Sequence, residues 1–216
     1  MSELPGVVVS VHGLWMTGLE SLILRQRLAR AGFPVEQFHY HSTAGEPSAG
    51  QVVERLHATV LALAATHSVS MLGHSLGGLL ILRLLDQYPD LPIRRTLLLG
   101  SPVNGSQAAR SFQNLPGASW FFGGIAEDEL MYTGQRRWRG PGEVGVIAGT
   151  NSVGLSRLIS TLALPNDGTV ALQETALMDA TATCVLPVSH LGMLMSSEVA
   201  DAAVSFLSQG RFVKAA

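Results

Sequence analysis

The sequence predicts an α/β protein, about six mostly parallel strands alternating with helices that cover both faces of one sheet. Short apolar runs alternate with segments of helical periodicity from Val7 to Leu207, the pattern of a parallel sheet built by crossovers. A glycine-flanked serine, Gly73-His74-Ser75-Leu76-Gly77, falls where one such run turns into one such helix. The composition is 47% apolar and only 14% charged, with 23 glycines and 10 prolines among 216 residues. That is a turn-rich globular composition with enough chain for a sizeable core, and one domain over 1–216 is the expectation.

The elements follow in order. Val7–Val11 is a β-branched run of the kind buried on both faces of a sheet. A helix is expected from Gly18, with Thr17 and Glu20 as a capping box and Gly32-Phe33-Pro34 as its stop. Val35–Tyr40 is the second strand. Ser48 opens a helix in which Val52, Val53, Leu56, Val60 and Leu63 recur on one face. Val69–Leu72 and Leu76–Tyr88 are the strand and helix around Ser75, ended by Pro89. Arg95–Gly100, Val144–Ala148 and Thr181–Leu186 are further strands, and a last helix runs from about Ser197 to Leu207. The long interval 101–143 breaks the rhythm. It is expected to form a modest cap or rim over a site, with Trp120-Phe121-Phe122 as internal packing.

Charge and cysteine usage exclude several function classes. A formal charge of −2 and scattered basic residues leave no footprint for nucleic acid. Arg136-Arg137-Trp138-Arg139 is the one basic cluster and reads as a solvated loop. Cys184 is the single cysteine, so there is no internal disulfide framework, and its apolar surroundings suggest a buried, inert thiol. The N-terminal residues lack the basic and apolar regions of a signal peptide, and no run is long enough to span a bilayer, which makes a cytoplasmic protein the expectation. The oligomeric state is left open.

A serine held between a strand and a helix, with glycine two places away on each side, is a nucleophile elbow. The turn is so tight that side chains at 73 and 77 would strike neighbouring backbone. The strained serine costs about 1–3 kcal/mol, which persists where function demands it. A serine hydroxyl attacks only when a base removes its proton. Of seven histidines, His190 alone follows Ser75, in the loop Pro187-Val188-Ser189-His190 between the last strand and the last helix. For the acid, Asp167 in Asn166-Asp167-Gly168 is the best candidate, because that turn follows the strand near Val144–Ala148. Asp128, Glu129, Glu143, Glu174 and Asp179 also lie between serine and histidine, none in so tight a loop. The turn 101–106 carries no carboxylate, which excludes an acid placed directly after the strand that follows the elbow. The anionic oxygen of an acyl-transfer intermediate needs two fixed N–H donors. The amide of Leu76, after the nucleophile, is one. The amide of Leu14, after His12-Gly13 at the end of the first strand, is the other.

Together these residues resemble the α/β-hydrolase superfamily over nearly the whole chain, and within it the compact bacterial lipases and esterases. His12-Gly13 is similar to their oxyanion turn, Gly73-His74-Ser75-Leu76-Gly77-Gly78 to their elbow, and Ser101-Pro102-Val103-Asn104-Gly105-Ser106 to the turn after the next strand. Asn166-Asp167-Gly168-Thr169-Val170 and Ser189-His190-Leu191 look like their acid and histidine loops. The resemblance implies an α/β-hydrolase fold without the two leading strands, a calcium site or a large lid. It implies a Ser75–Asp167–His190 triad working through an acyl-enzyme, with no cofactor and no metal. Trp15, Met16 and Leu191 adjoin the catalytic turns and are candidates for the substrate-binding wall. The expected substrate is a small ester or lipid-like molecule with a short-to-medium apolar acyl chain. A thioesterase or acyltransferase with the same triad is the first alternative, and a non-catalytic binding module on the same fold the second.

Overall fold

The structure, a computed structural model, describes residues 6–41, 48–113, 124–153 and 162–213. Six parallel strands form one sheet: β1 (Gly6–Val11), β2 (Val35–Phe38), β3 (Ser68–His74), β4 (Ile93–Leu99), β5 (Glu143–Gly149) and β6 (Ala182–Leu186), in the spatial order β2-β1-β3-β4-β5-β6. The main helices are α1 (Leu22–Arg30), α2 (Ala49–Ala64), α3 (Leu76–Gln87), α4 (Gln107–Gln113), α5 (Gly124–Leu130) and α6 (Ser197–Gln209). None among the described residues is long and apolar enough to cross a membrane.

The sheet divides the core by the two-residue period of its strands. Val7, Val9 and Val11 of β1 join Val52, Leu56 and Val60 of α2 and Leu80 and Leu84 of α3 on one face. Val8 turns the other way, to Leu24 and Leu28 of α1 and Val199, Ala203 and Phe206 of α6. Leu98 against Leu97 and Leu99 in β4, and Val146 against Ile147 in β5, divide in the same manner. Parallel register sets the strand ends level: Val11 pairs with Gly73, Gly73 with Leu98, Leu98 with Val146, and Val146 with Thr183. Every loop that leaves these ends therefore opens on the same edge, where ligands of open α/β sheets bind.

The helix boundaries differ from expectation where local chemistry intervenes. Glu20 does accept from the Thr17 and Gly18 amides, but Gly18 is left-handed (φ 92°), so the chain first makes a 3-10 turn over Leu19–Ser21 and α1 begins only at Leu22. The second strand stops at Phe38, short of Tyr40, because Tyr40 leaves the ladder to stack on His12 at 4.3 Å. α2 starts as expected, with Ser48 and Gln51 forming a reciprocal capping box. Arg136 is not in a solvated loop: it donates to Glu129 at 3.0 Å and lies over the Tyr132 ring. Cys184 is half-buried against the α6 side of the core, and burial pushes its thiol pKa up. The Trp120-Phe121-Phe122 cluster lies outside the described residues.

Candidate active site

Ser75 occupies the turn between β3 and α3 with φ 54° and ψ −123°, a conformation L-residues rarely adopt. Its amide donates to the Leu99 carbonyl at 2.9 Å, so the end of β4 holds the turn in place. A Cβ at Gly73 would lie 2.5 Å from the Gly78 Cα, and one at Gly77 would collide with the Val11 and His12 carbonyl oxygens. Glycine at 73 and 77 is what lets α3 start this close to β1 and β3.

His190 and Asp167 arrive on neighbouring loops from β6 and β5. His190 Nδ1 lies 2.7 Å from Asp167 Oδ2, and the His190 amide donates to the Asp167 carbonyl at 2.8 Å. The other carboxylate oxygen of Asp167 accepts from the Thr169 and Val170 amides at 2.9 and 2.7 Å, and Gly168 closes the turn at φ 95°. Asp167 is buried, so both of its oxygens depend on these partners. The remaining carboxylates are engaged elsewhere. Glu129 pairs with Arg83 and Arg136, Asp179 with Arg137, and Glu143 with Arg95. Glu174 accepts from the Gln107 amide at 2.5 Å and from the Ala171 amide at 2.8 Å. It thereby ties the start of α4 to the Asp167 loop, and burial raises its pKa.

The turn after β1 presses against the elbow. A Cβ at Gly13 would come within 3.1 Å of the Ser75 Cβ and 3.2 Å of His74 Nδ1. His12 shapes this turn from below: its Nδ1 bonds the Gly13 carbonyl, Tyr40 hydroxyl donates to the His12 carbonyl, and burial lowers its pKa. Leu76 is the first residue of α3, where helix geometry leaves its amide without an intrahelical acceptor. Leu14, Trp15, Met16, Ser75, His190 and Leu191 all line one cavity of about 360 Å³, so the nucleophile candidate, the base candidate and the three expected wall residues share a single space. Pro102, Ser106, Ala108, Ala109 and Leu130 complete it from the interval after β4. α4 and α5 thus each contribute to the lining.

No protein-family model and no curated protein matches the chain. Solved structures do. A metagenomic carboxyl esterase, MGS0156, superposes with a TM-score of 0.69 at 20% identity, over 89% of this chain and 67% of that one. The mature lipase BlEst2 from Bacillus licheniformis gives a TM-score of 0.64 at 16% identity, covering 96% and 92%. The phospholipase PlaB from Legionella pneumophila gives 0.58 at 16%, covering 79% of this chain but only 45% of its own length. With six parallel strands, helices on both faces and an elbow after β3, the match decides the architecture. This is an α/β-hydrolase fold.

Within that hydrolase fold, two features of the site were not legible in the sequence. His74, beside the serine, is buried and sets its Nε2 3.0 Å from the His190 carbonyl, its ring 4.7 Å from the His190 ring. A carbonyl only accepts, so Nε2 carries the proton and His74 braces the loop that carries His190. Burial, with His190 adding to it, pushes the His74 imidazole down to about 3. A histidine in the elbow motif hinted at this, but its partner is 116 residues away. Glu174 is the second: only the folded chain brings the Gln107 amide to it.

Proposed function

We propose that this chain is a serine hydrolase that cleaves carboxylic esters of short-to-medium apolar acyl chains through an acyl-enzyme. One observation carries the reading: an imidazole that lines the same cavity as a serine held at φ 54° is backed at 2.7 Å by a buried carboxylate. With Nδ1 engaged by Asp167, His190 keeps Nε2 for the serine proton. Ser75 Oγ then adds to the ester carbonyl while Nε2 takes its proton, and the Leu14 and Leu76 amides receive the oxyanion. Collapse expels the alcohol, which leaves with the proton from His190. Water, deprotonated by the same nitrogen, then adds to the acyl-enzyme, and collapse releases the acid as that proton passes to Ser75 Oγ. The carboxyl esterase and lipase among the structural neighbours support this class of reaction.

The walls support the acyl preference. Leu14, Met16, Ala108, Ala109, Leu130 and Val170 present little but hydrocarbon to the cavity, and each methylene buried there is worth about 0.8 kcal/mol. About 360 Å³ lies at the small end of ligand sites, so nitrophenyl esters of about four to eight carbons should give the highest kcat/KM. A profile that peaks at acetate and falls with each added carbon would overturn the chain-length assignment.

A fluorophosphonate probe should label Ser75, and Ser75→Ala should abolish labelling and lower esterase turnover by about 10⁴–10⁶-fold in a folded protein. Labelling of another serine, or retained turnover, would refute the mechanism. Thioesters and alcohol acceptors belong in the same assay, because thioesterases and acyltransferases share the acyl-enzyme half-reaction.

A further inference from the structure

Six large apolar side chains on the segments that follow β1 and His190 stand exposed: Trp15, Leu19, Leu22, Ile23, Leu191 and Met195, between 43% and 71% accessible. Scattered exposed leucines need no explanation, but a group on two segments that both reach a cavity does. Trp15 and Leu191 line the cavity itself, together with Glu20 of the 3-10 turn before α1. Leu19, Leu22 and Ile23 follow at i, i+3 and i+4 and so share one face of that turn and the first turn of α1. The guanidinium of Arg27, one turn beyond Ile23, donates to the Met195 carbonyl at 2.6 Å and joins α1 to the loop that follows His190. The two segments that carry these side chains thus touch each other, and both contribute to the lining of the cavity.

The first of these segments is also basic. Arg25, Arg27 and Arg30 lie on α1, and among the described residues none has a carboxylate within 4 Å. Arg25 and Arg27 are held by backbone carbonyls, which leave their charge uncompensated. Residues 14–30 carry these three arginines against the single carboxylate of Glu20, on a chain whose net charge is −2. A helix with apolar side chains at one end and arginines behind them suits the boundary of an anionic lipid layer, where hydrocarbon takes the former and phosphate the latter.

We propose that this face docks the protein on an anionic lipid surface, with the cavity mouth against the lipid. Resting on the ester-hydrolase reading, substrate then passes from the lipid to Ser75 without crossing water. The α1 face would do this as a fixed surface, with no lid opening required.

Full-length Ser75→Ala protein, which cannot consume the lipid, would be sedimented with phosphatidylcholine vesicles with and without one-third phosphatidylglycerol. Binding is expected with phosphatidylglycerol, and at least about tenfold weaker on phosphatidylcholine alone. Leu19→Ser/Leu22→Ser/Ile23→Ser should weaken it at least about tenfold as well. Leu61→Ser, at an exposed leucine on α2, should leave it unchanged. With Ser75 intact, the triple variant should hydrolyse soluble nitrophenyl butyrate like the parent and vesicle-borne ester less, in step with its lost binding. No binding to the anionic vesicles, equal binding to both, or a triple variant that binds like its parent overturns the proposal. So does capture by an acidic acyl-carrier protein without vesicle binding, which would make this a protein-docking face. Vesicle binding by a chain that hydrolyses no ester leaves the docking surface standing and removes the hydrolase reading.

Discussion

At Asp167, one carboxylate oxygen serves two backbone amides and the other serves an imidazole, so the side chain fixes both its own loop and the His190 ring. Asp167→Asn separates these duties. The amide oxygen can still accept from Thr169 and Val170, which preserves the turn, but the amide nitrogen then meets His190 Nδ1 as donor against donor. The imidazole would hold its proton on Nε2, where it cannot accept one from Ser75. Turnover on nitrophenyl esters should fall by up to about 10⁴-fold with an unchanged circular dichroism spectrum. Asp179→Asn, removing an exposed partner of Arg137, should be nearly silent. If the two variants exchange these outcomes, the acid has been assigned to the wrong loop.

The elbow is a property of elements, because its dimensions come from how closely α3 approaches β1 and β3. Gly77→Ala would drive a methyl group into the Val11 and His12 carbonyls, which belong to a sheet strand and the turn that follows it and cannot both withdraw. A loss of at least about 1–3 kcal/mol is expected, with activity falling as the turn is displaced. Gly50, in the first turn of α2, meets nothing closer than the Ser48 Oγ at 3.8 Å, so Gly50→Ala should gain up to about 0.5–1 kcal/mol. Urea denaturation of the two variants reads both signs. Equal effects would mean that the crowding at Gly77 is relieved elsewhere in the fold.

For the whole molecule, His74 links the elbow to the loop after β6 and makes stability depend on pH. Its imidazole stays neutral in the folded chain down to about pH 3, whereas in the unfolded chain it takes a proton near its ordinary value of 6.5. Between these values the unfolded state binds the extra proton. The stability is therefore fully present above pH 6.5 and is lost as pH falls toward 3, at about 1.4 kcal/mol for each pH unit. His12, also lowered by burial, adds to the same slope. Urea midpoints measured from pH 7 to pH 4 should fall steeply for the parent and less steeply for His74→Gln. Parallel curves would show that His74 does not carry the dependence.

The alternation of strand and helix, the elbow and the candidate residues Ser75, Asp167 and His190 were all legible in the sequence, because each is written in local chemistry. β-branched runs make buried strands, Asn-Asp-Gly makes a turn, and glycine two places either side of a serine permits a tight junction. Element ends were less legible: β2 yields Tyr40 to a ring stack with His12, and Gly18 bends the start of α1 into a 3-10 turn. What only the tertiary structure decided lies between distant segments. The brace from His74 to the His190 carbonyl, the clasp of Glu174 on the Gln107 amide and the tie from Arg27 to the Met195 carbonyl are of this kind. Each joins residues whose separation in the chain carries no local signal. The parallel register of the sheet brings their loops to one edge, and only there do donor and acceptor meet.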